Sequence, residues 1–280
     1  MRLVEHVMGT AVSFDVRGRE PDDPVAVRAL ADAVSFLHEV DAMFSTYRPG
    51  SAVSLLDRGE ITPAECPPEV TEILELCAEA SRLSGGYFTA RPGGRLDPSA
   101  VVKGWAVERA SRILRSAGLH DHCVNGGGDI QTSGSPAPGR PWRVGVAHPL
   151  RPGALAVVVC AGPGVSAVAT SGTAERGPHI LDPHTGRPAT GLASITLAGE
   201  SLTVADACAT AAFAMGDAAR EWVEGLPGLD AFAVTATGAT WRTPGFPAAP
   251  PVLSPASPPV SSPALSTGPS GVGARGPGRC

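Results

Sequence analysis

The chain has 280 residues, with 27 acidic and 22 basic side chains and a formal net charge of −5. Hydrophobic residues make up 43% and charged residues 18%, which is the composition of a globular chain with a sizeable core and excludes a disordered one. The acidic balance excludes a general nucleic-acid binder, and six scattered cysteines without a CxxC pair argue against a zinc site or a disulfide scaffold.

In chain order, Leu3 to Val16 alternates as a strand. Glu5, His6 and Asp15 interrupt any apolar run, so no secretory signal is expected; the first cysteine is Cys66, so neither is a lipidation site, and a cytoplasmic protein is expected. Asp23-Pro24 opens a helix to about Phe44, with Ala26, Leu30, Ala33, Val34, Leu37 and Val40 near helical spacing. Pro67-Pro68 starts a second helix, ended by Gly85-Gly86, and a third runs from Ser99 to about Ala117, closed by Gly118. His122 to Val124 reads as a short strand leading into Gly126-Gly127-Gly128-Asp129. Strands are predicted at Trp142–Ala147, Leu155–Ala161, Val165–Ala169, Ala193–Leu197 and Ala231–Thr235. Thr203 is a plausible N-cap for a helix to Met215, and residues 218–224 form another short helix. Pro152 to Ala174 is uncharged over 23 residues, but its apolar centre ALAVVVCA is eight long and glycines and prolines flank it. That reads as two strands around a Gly-Pro-Gly turn and not as a membrane span.

Strands and helices mix without βαβ alternation, so the expected fold class is α+β with mixed sheets and packed helices. The expected organisation is one folded domain over residues 1–243 and a disordered tail over 244–280. That tail holds ten prolines, six glycines and six serines, with only Arg275 and Arg279 charged.

No P-loop, HExxH or GxSxG occurs, and the glycine triplet fails the dinucleotide spacing because position 131 is Gln. Four segments carry chemistry. In TVADACATAAFAM, Asp206 and Thr210 stand at i and i+4, so a carboxylate and a hydroxyl share one helix face, which is half of a hard-cation site. Lys103, the only lysine, follows Asp97 by six residues at a helix start, a setting that suits an anionic ligand. The glycine triplet before Asp129 lets backbone approach a phosphate or a flat ring. Residues 169–188 are dense in hydroxyl, His, Asp and Arg groups, and His179, followed by Ile180-Leu181, is expected in a semi-buried setting.

Met8-Gly9-Thr10, Phe44-Ser45-Thr46-Tyr47, Leu96-Asp97 through Lys103-Gly104-Trp105-Ala106-Val107, Asn125-Gly126-Gly127-Gly128-Asp129, Ala169-Thr170-Ser171-Gly172, His179-Ile180-Leu181-Asp182-Pro183 and Asp206 with Thr210-Ala211 occur in this order. The series resembles the ApbE family, the FAD:protein FMN transferases, over about residues 5 to 235. The resemblance implies an ApbE-like fold and a magnesium-dependent enzyme. Such an enzyme cleaves the FAD pyrophosphate, joins FMN through a phosphoester to a Thr or Ser hydroxyl of an acceptor protein and releases AMP.

It further implies FAD contacts at Met8, Tyr47, Tyr87, Phe88, Thr89, Asp97, Lys103 and Leu181, and metal ligands at the Ala100 carbonyl, Asp206 and Thr210. The catalytic residues it points to are His179, as base for the acceptor hydroxyl, and Asp206. Thr89 stands where most members carry Asp, Ala209 stands where some do, and the loop between Gly86 and Leu96 is short. The chemistry agrees: a hydroxyl attacking a pyrophosphate needs charge spread from the phosphoryl oxygens and a base at the attacking oxygen, and an imidazole titrates near pH 6.5. The expected partners are FAD and a flavin-dependent acceptor protein, with no nucleic acid and no membrane span. An FAD pyrophosphatase and a non-catalytic flavin-binding or delivery protein are the alternatives.

Overall fold

A computed structural model describes residues 1–174 and 177–250. Residues 251–280, where most of the expected tail falls, lie outside the described residues, as do Glu175 and Arg176. The chain begins with β1 (Arg2–Val7) and β2 (Thr10–Val16), a hairpin in place of the single expected strand. Its two-residue turn is Met8-Gly9, with φ of 53° and 69°. Paired positive φ values are the hairpin geometry, but Met is not a residue that announces it.

Helices α1 (Pro24–Phe44), α2 (Ala52–Asp57), α3 (Pro68–Leu83) and α4 (Ser99–Ser116) follow. The Asp23 carboxylate accepts from Val25 and Ala26 amides at the start of α1, as a capping Asp should. Next come β3 (His122–Gly126) and β4 (Asp129–Ser133), a second hairpin turning on Gly127-Gly128, then β5 (Trp142–Ala147), β6 (Leu155–Ala161) and β7 (Ala167–Gly172). Gly127 has φ 60°, and a Cβ there would lie 2.6 Å from the Thr10 hydroxyl. Two short strands, β8 (Leu181–Asp182) and β9 (Arg187–Pro188), pair with each other. The rest is β10 (Leu192–Gly199), α5 (Leu202–Met215), α6 (Ala219–Glu224), β11 (Asp230–Thr235) and β12 (Thr240–Arg242).

Eight strands form one sheet in the order β1-β2-β3-β4-β7-β10-β11-β12, antiparallel throughout. Side-chain alternation explains why β10 is buried along its whole length. Ala167 and Ala169, Ile195 and Leu197, and Ala231 and Ala233 pack with the helices. Their alternates Val168, Ala198, Phe232 and Val234 face a second core with Val144, Val146 and Val159 of the β5–β6 pair. The α+β expectation holds, with helices on one face of the sheet and a two-stranded sheet on the other.

Three expectations change. The strands around Gly162-Pro163-Gly164 join different sheets: β6 pairs with β5, whereas β7 pairs with β4 and β10. The N-cap of α5 is Ser201, whose hydroxyl accepts from the Val204 amide, and not Thr203, which lies inside the helix. The ordered body also runs past residue 243. Phe246 is buried against Phe232 at 5.8 Å, the Pro247 carbonyl accepts from Cys160 N–H at 2.9 Å, and Ala249 N–H donates to Val158 at 2.7 Å. One aromatic ring and the open edge of β6 outweigh the proline content there, and the compact unit ends at Ala249. The five described cysteines form no disulfide, and no helix among the described residues is long and apolar enough to cross a membrane.

Candidate active site

Helices α4 and α5 pack side by side, and they come close together at Gly104. A Cβ on Gly104 would lie 2.6 Å from the Leu202 carbonyl oxygen and 2.8 Å from Asp206 Cβ, so only glycine permits this spacing. Through the gap the Gly104 amide donates to Asp206 Oδ2 at 2.9 Å. In a regular helix that amide points toward the carbonyl four residues back, here that of Ala100. One turn further along, the Glu108 carboxylate takes the amide of Thr203. The helices are therefore antiparallel along this seam: Glu108 meets Thr203, Gly104 meets Asp206, and the next turn carries Ala100 and Thr210.

The seam brings a buried charge cluster together. Asp206 is 2% exposed, and Asp129, the first residue of β4, is 1% exposed. Lys103 makes an ion pair with Asp129 Oδ2, and its ammonium lies 3.7 Å from Asp206 Oδ1. The other Asp129 oxygen accepts from the Thr170 amide of β7 at 2.9 Å. Thr210 places its hydroxyl 3.5 Å from that of Ser171. Burial pushes the Asp206 carboxyl up to about 7, and the Asp129 charge adds to this, while Lys103 and the Gly104 amide act the other way. Two carboxylates facing one ammonium leave a negative surplus. With a hydroxyl and a carbonyl alongside, the donor set suits a hard divalent cation. No group of three or more His, Cys, Asp or Glu placed to hold a metal ion occurs among the described residues.

The remaining predicted site residues lie on loops, except Leu181 in the short strand β8. Met8 is the only non-glycine residue with positive φ among those described, a strained position of the kind found at functional sites. Tyr47 is 94% exposed. Tyr87 stacks edge-on against His184 with ring centres 4.5 Å apart, tying the loop after α3 to the β8–β9 turn. Thr89 accepts the Arg91 amide at 3.0 Å, and Asp97 accepts the Ser99 amide at 3.0 Å. Leu181 is half-buried in β8.

Two placements depart from expectation. The Phe88 ring is in the core, with its amide held by the Ser84 hydroxyl at 2.9 Å, so it offers a ligand no ring surface. His179 is exposed and not semi-buried, because Ile180 is the residue of that pair that packs on the core. Its Nδ1 faces the Gly177 carbonyl at 3.0 Å, and no hydrogen bond joins it to the Lys103–Asp129–Asp206 cluster among the described residues. Sequence reasoning left Asp129 off the site. Its signal was present in the glycine triplet, which delivers a carboxylate at the first residue of a strand.

The sequence profile of the ApbE family matches residues 8–93 and 89–233. A relative from Rhodobacter capsulatus named FAD:protein FMN transferase is 31% identical over 200 residues, which are 65% of this chain and 38% of that protein. One of the same name from Vibrio cholerae is 33% identical over 157 residues, 53% of this chain and 46% of that protein. The chain thus spans less than half the length of either relative. Among solved structures, the ApbE protein of Thermotoga maritima superposes with a TM-score of 0.74 at 25% identity, covering 87% of this chain and 97% of that one. The flavin transferase ApbE of Vibrio cholerae gives 0.73 at 22% identity, covering 87% and 96%, a likeness of fold. Matched by that profile over most of its length, the chain belongs to the ApbE family.

Proposed function

We propose that the chain is an FAD:protein FMN transferase. The acceptor's Thr or Ser oxygen forms a new bond to the FMN phosphorus of FAD, the pyrophosphate P–O bond to the AMP half breaks, and the hydroxyl proton leaves. The observation that carries this reading is the buried Asp206 carboxylate at the α4–α5 contact, with Ala100 and Thr210 each one turn on along the two helices. Those three residues would hold Mg2+, which when bound draws charge from the pyrophosphate oxygens. The names of the relatives support FAD as substrate and a protein as acceptor.

Each part of the chain has its task in this proposal. Lys103, fixed by Asp129, turns an ammonium toward the anionic substrate at a helix start. Met8, Tyr47, Tyr87, Thr89, Asp97 and Leu181 form the rim against the flavin and its phosphates, and Phe88 supports that rim from the core. His179, exposed on its loop, would take the proton of the incoming hydroxyl, and Asp206 would be a ligand of the cation.

One assay separates this proposal from its alternatives. The chain is incubated with FAD, Mg2+ and an acceptor domain presenting a Thr, and acceptor mass and AMP are measured. Acceptor mass rising by one FMN with matching AMP is the expected result. AMP without acceptor gain identifies an FAD pyrophosphatase; retained, intact FAD identifies a flavin-binding protein.

A further inference from the structure

The first amides of a helix have no partner inside it. At the start of α5 three of them are met by three different side chains. Leu202 N–H donates to Gln131 Oε1 at 3.2 Å, Thr203 N–H to Glu108 Oε2 at 2.9 Å, and Val204 N–H to the Ser201 hydroxyl at 3.3 Å. Glu108 does the most. The same Oε2 also accepts the hydroxyls of Ser201 and Thr203, each at 2.8 Å, while Oε1 pairs with Arg112. The residue is 7% exposed and belongs to α4, not to α5.

Glu108 is therefore the second fixed point of the seam, one turn beyond Gly104. Thr203, Asp206 and Thr210 stand three and four residues apart, on one stripe of α5. Whatever fixes Thr203 against α4 fixes the rotation of α5 and with it the direction in which Asp206 and Thr210 point. The sheet strands β7 and β10 hold one side of α5, and the contacts at Gly104 and Glu108 hold the side that faces α4.

We infer that Glu108 is a positioning residue for the cation site: its carboxylate sets the register of α5 on α4 and so presents Asp206 and Thr210. This rests on the proposed cation reading of those two residues. Ligand-orienting groups of this kind change metal affinity by about 10- to 100-fold when removed. Glu108→Gln keeps the shape and can still accept one amide, so its effect should be the smaller; Glu108→Ala loses all four contacts.

The test uses Mn2+ alone as the probe, with free Mn2+ read by electron paramagnetic resonance on the full chain and binding expressed per folded molecule from circular dichroism. Glu108→Ala should weaken Mn2+ binding by about 10-fold or more, with Glu108→Gln and Thr203→Val in between. FAD affinity measured without metal should stay within about twofold, and Arg112→Ala should bind Mn2+ as wild type does. If Glu108→Ala does not fold, the Gln and Thr203→Val variants decide the question. Mn2+ affinity equal to wild type in those variants overturns the inference while leaving the cation reading intact. A wild type without Mn2+ affinity, or an Asp206→Asn variant that binds equally well, overturns the cation reading and the inference with it.

Discussion

The α4–α5 seam and the loop rim are built on opposite principles. In the seam, polar groups are buried and each is held by partners from other elements: Asp206 by α4, Asp129 by α4 and β7, Glu108 by α5. On the rim, apart from the Tyr87–His184 ring contact, the side-chain bonds are local. Thr89 bonds Arg91, Asp97 bonds Ser99, and His179 faces Gly177, each two residues away. Long-range contacts fix a geometry to which charge can be trusted, whereas local ones leave a loop free to fit a ligand. The proposed reaction, with a nucleotide substrate and a protein acceptor, would use both.

The comparison breaks most sharply at Asp206. Asp206→Asn should reduce turnover to background, a loss of roughly a thousandfold, with far-UV circular dichroism unchanged, because the Gly104 amide keeps an acceptor. Full activity above chelator-treated controls would remove the seam from the chemistry. On the rim, His179→Ala should lower kcat by about 10²- to 10⁴-fold and leave FAD affinity nearly unchanged. Weak FAD binding in that variant would make the rim a holding device and return the role of base to a carboxylate.

Gly104→Ala tests the seam's geometry. The added methyl meets the Leu202 carbonyl and Asp206, so it should cost about 1–3 kcal/mol and lower both Tm and turnover. A stable, active variant would mean the helices can separate without consequence.

Two of the seam carboxylates, Asp206 and Glu108, should also respond oppositely to pH. Asp206 is raised from 3.8 to about 7, so in metal-free protein its contribution is fully present below 3.8 and lost as pH rises toward 7. Asp206→Asn should therefore gain Tm relative to wild type across that window. Burial alone would raise the Glu108 carboxyl, but the bonds from Thr203 and Ser201 and the charge of Arg112 hold it below its ordinary 4.5. Its contribution is present above 4.5 and lost in acid, so Glu108→Gln should converge on wild type below that pH. Parallel curves would refute the assignment of both shifts.

The smallest effect is expected at the C-terminus. Removing residues 251–280 should leave Tm and turnover almost unchanged, in keeping with the proposed tail. Starting the deletion at Pro244 also removes Phe246, and Tm should then fall by about 2–4 °C for each kcal/mol lost. Equal Tm values for the two truncations would restore the boundary at 243.

Much of this was legible in the sequence where local chemistry decides. Helices α1, α3 and α4 carry their own caps, prolines and closing glycines, and β5 and β6 fall where alternation and valine content place them. The misses arise where tertiary structure decides. The β1–β2 turn uses Met8 in a conformation that sequence reserves for Gly or Asn. β4 was hidden because its first residue is a buried aspartate and its third a buried glutamine, both polar positions that alternation reads as exposed. Within the site, Asp206 and Thr210 declare themselves by spacing on one helix. The Lys103–Asp129 pair does not, because it spans 26 positions and exists only once β4 is beside α4. His179 was misplaced because its apolar neighbours bury themselves without it.

Strand β6, LAVVVCA, is a seven-residue run with high strand propensity, no charge, no proline and no glycine. Such runs are templates for pairing between molecules when an edge is left open. Here Pro247 to Ala249 lie along that edge, meeting Cys160 on one side and Val158 on the other, with Ala248 bridged to Val159. Prolines at 247 and 250 flank the added segment, and proline cannot donate to a further strand. This short stretch therefore covers the open edge of β6, and a variant that frees it is expected to keep most of the fold while becoming prone to fibril-like stacking.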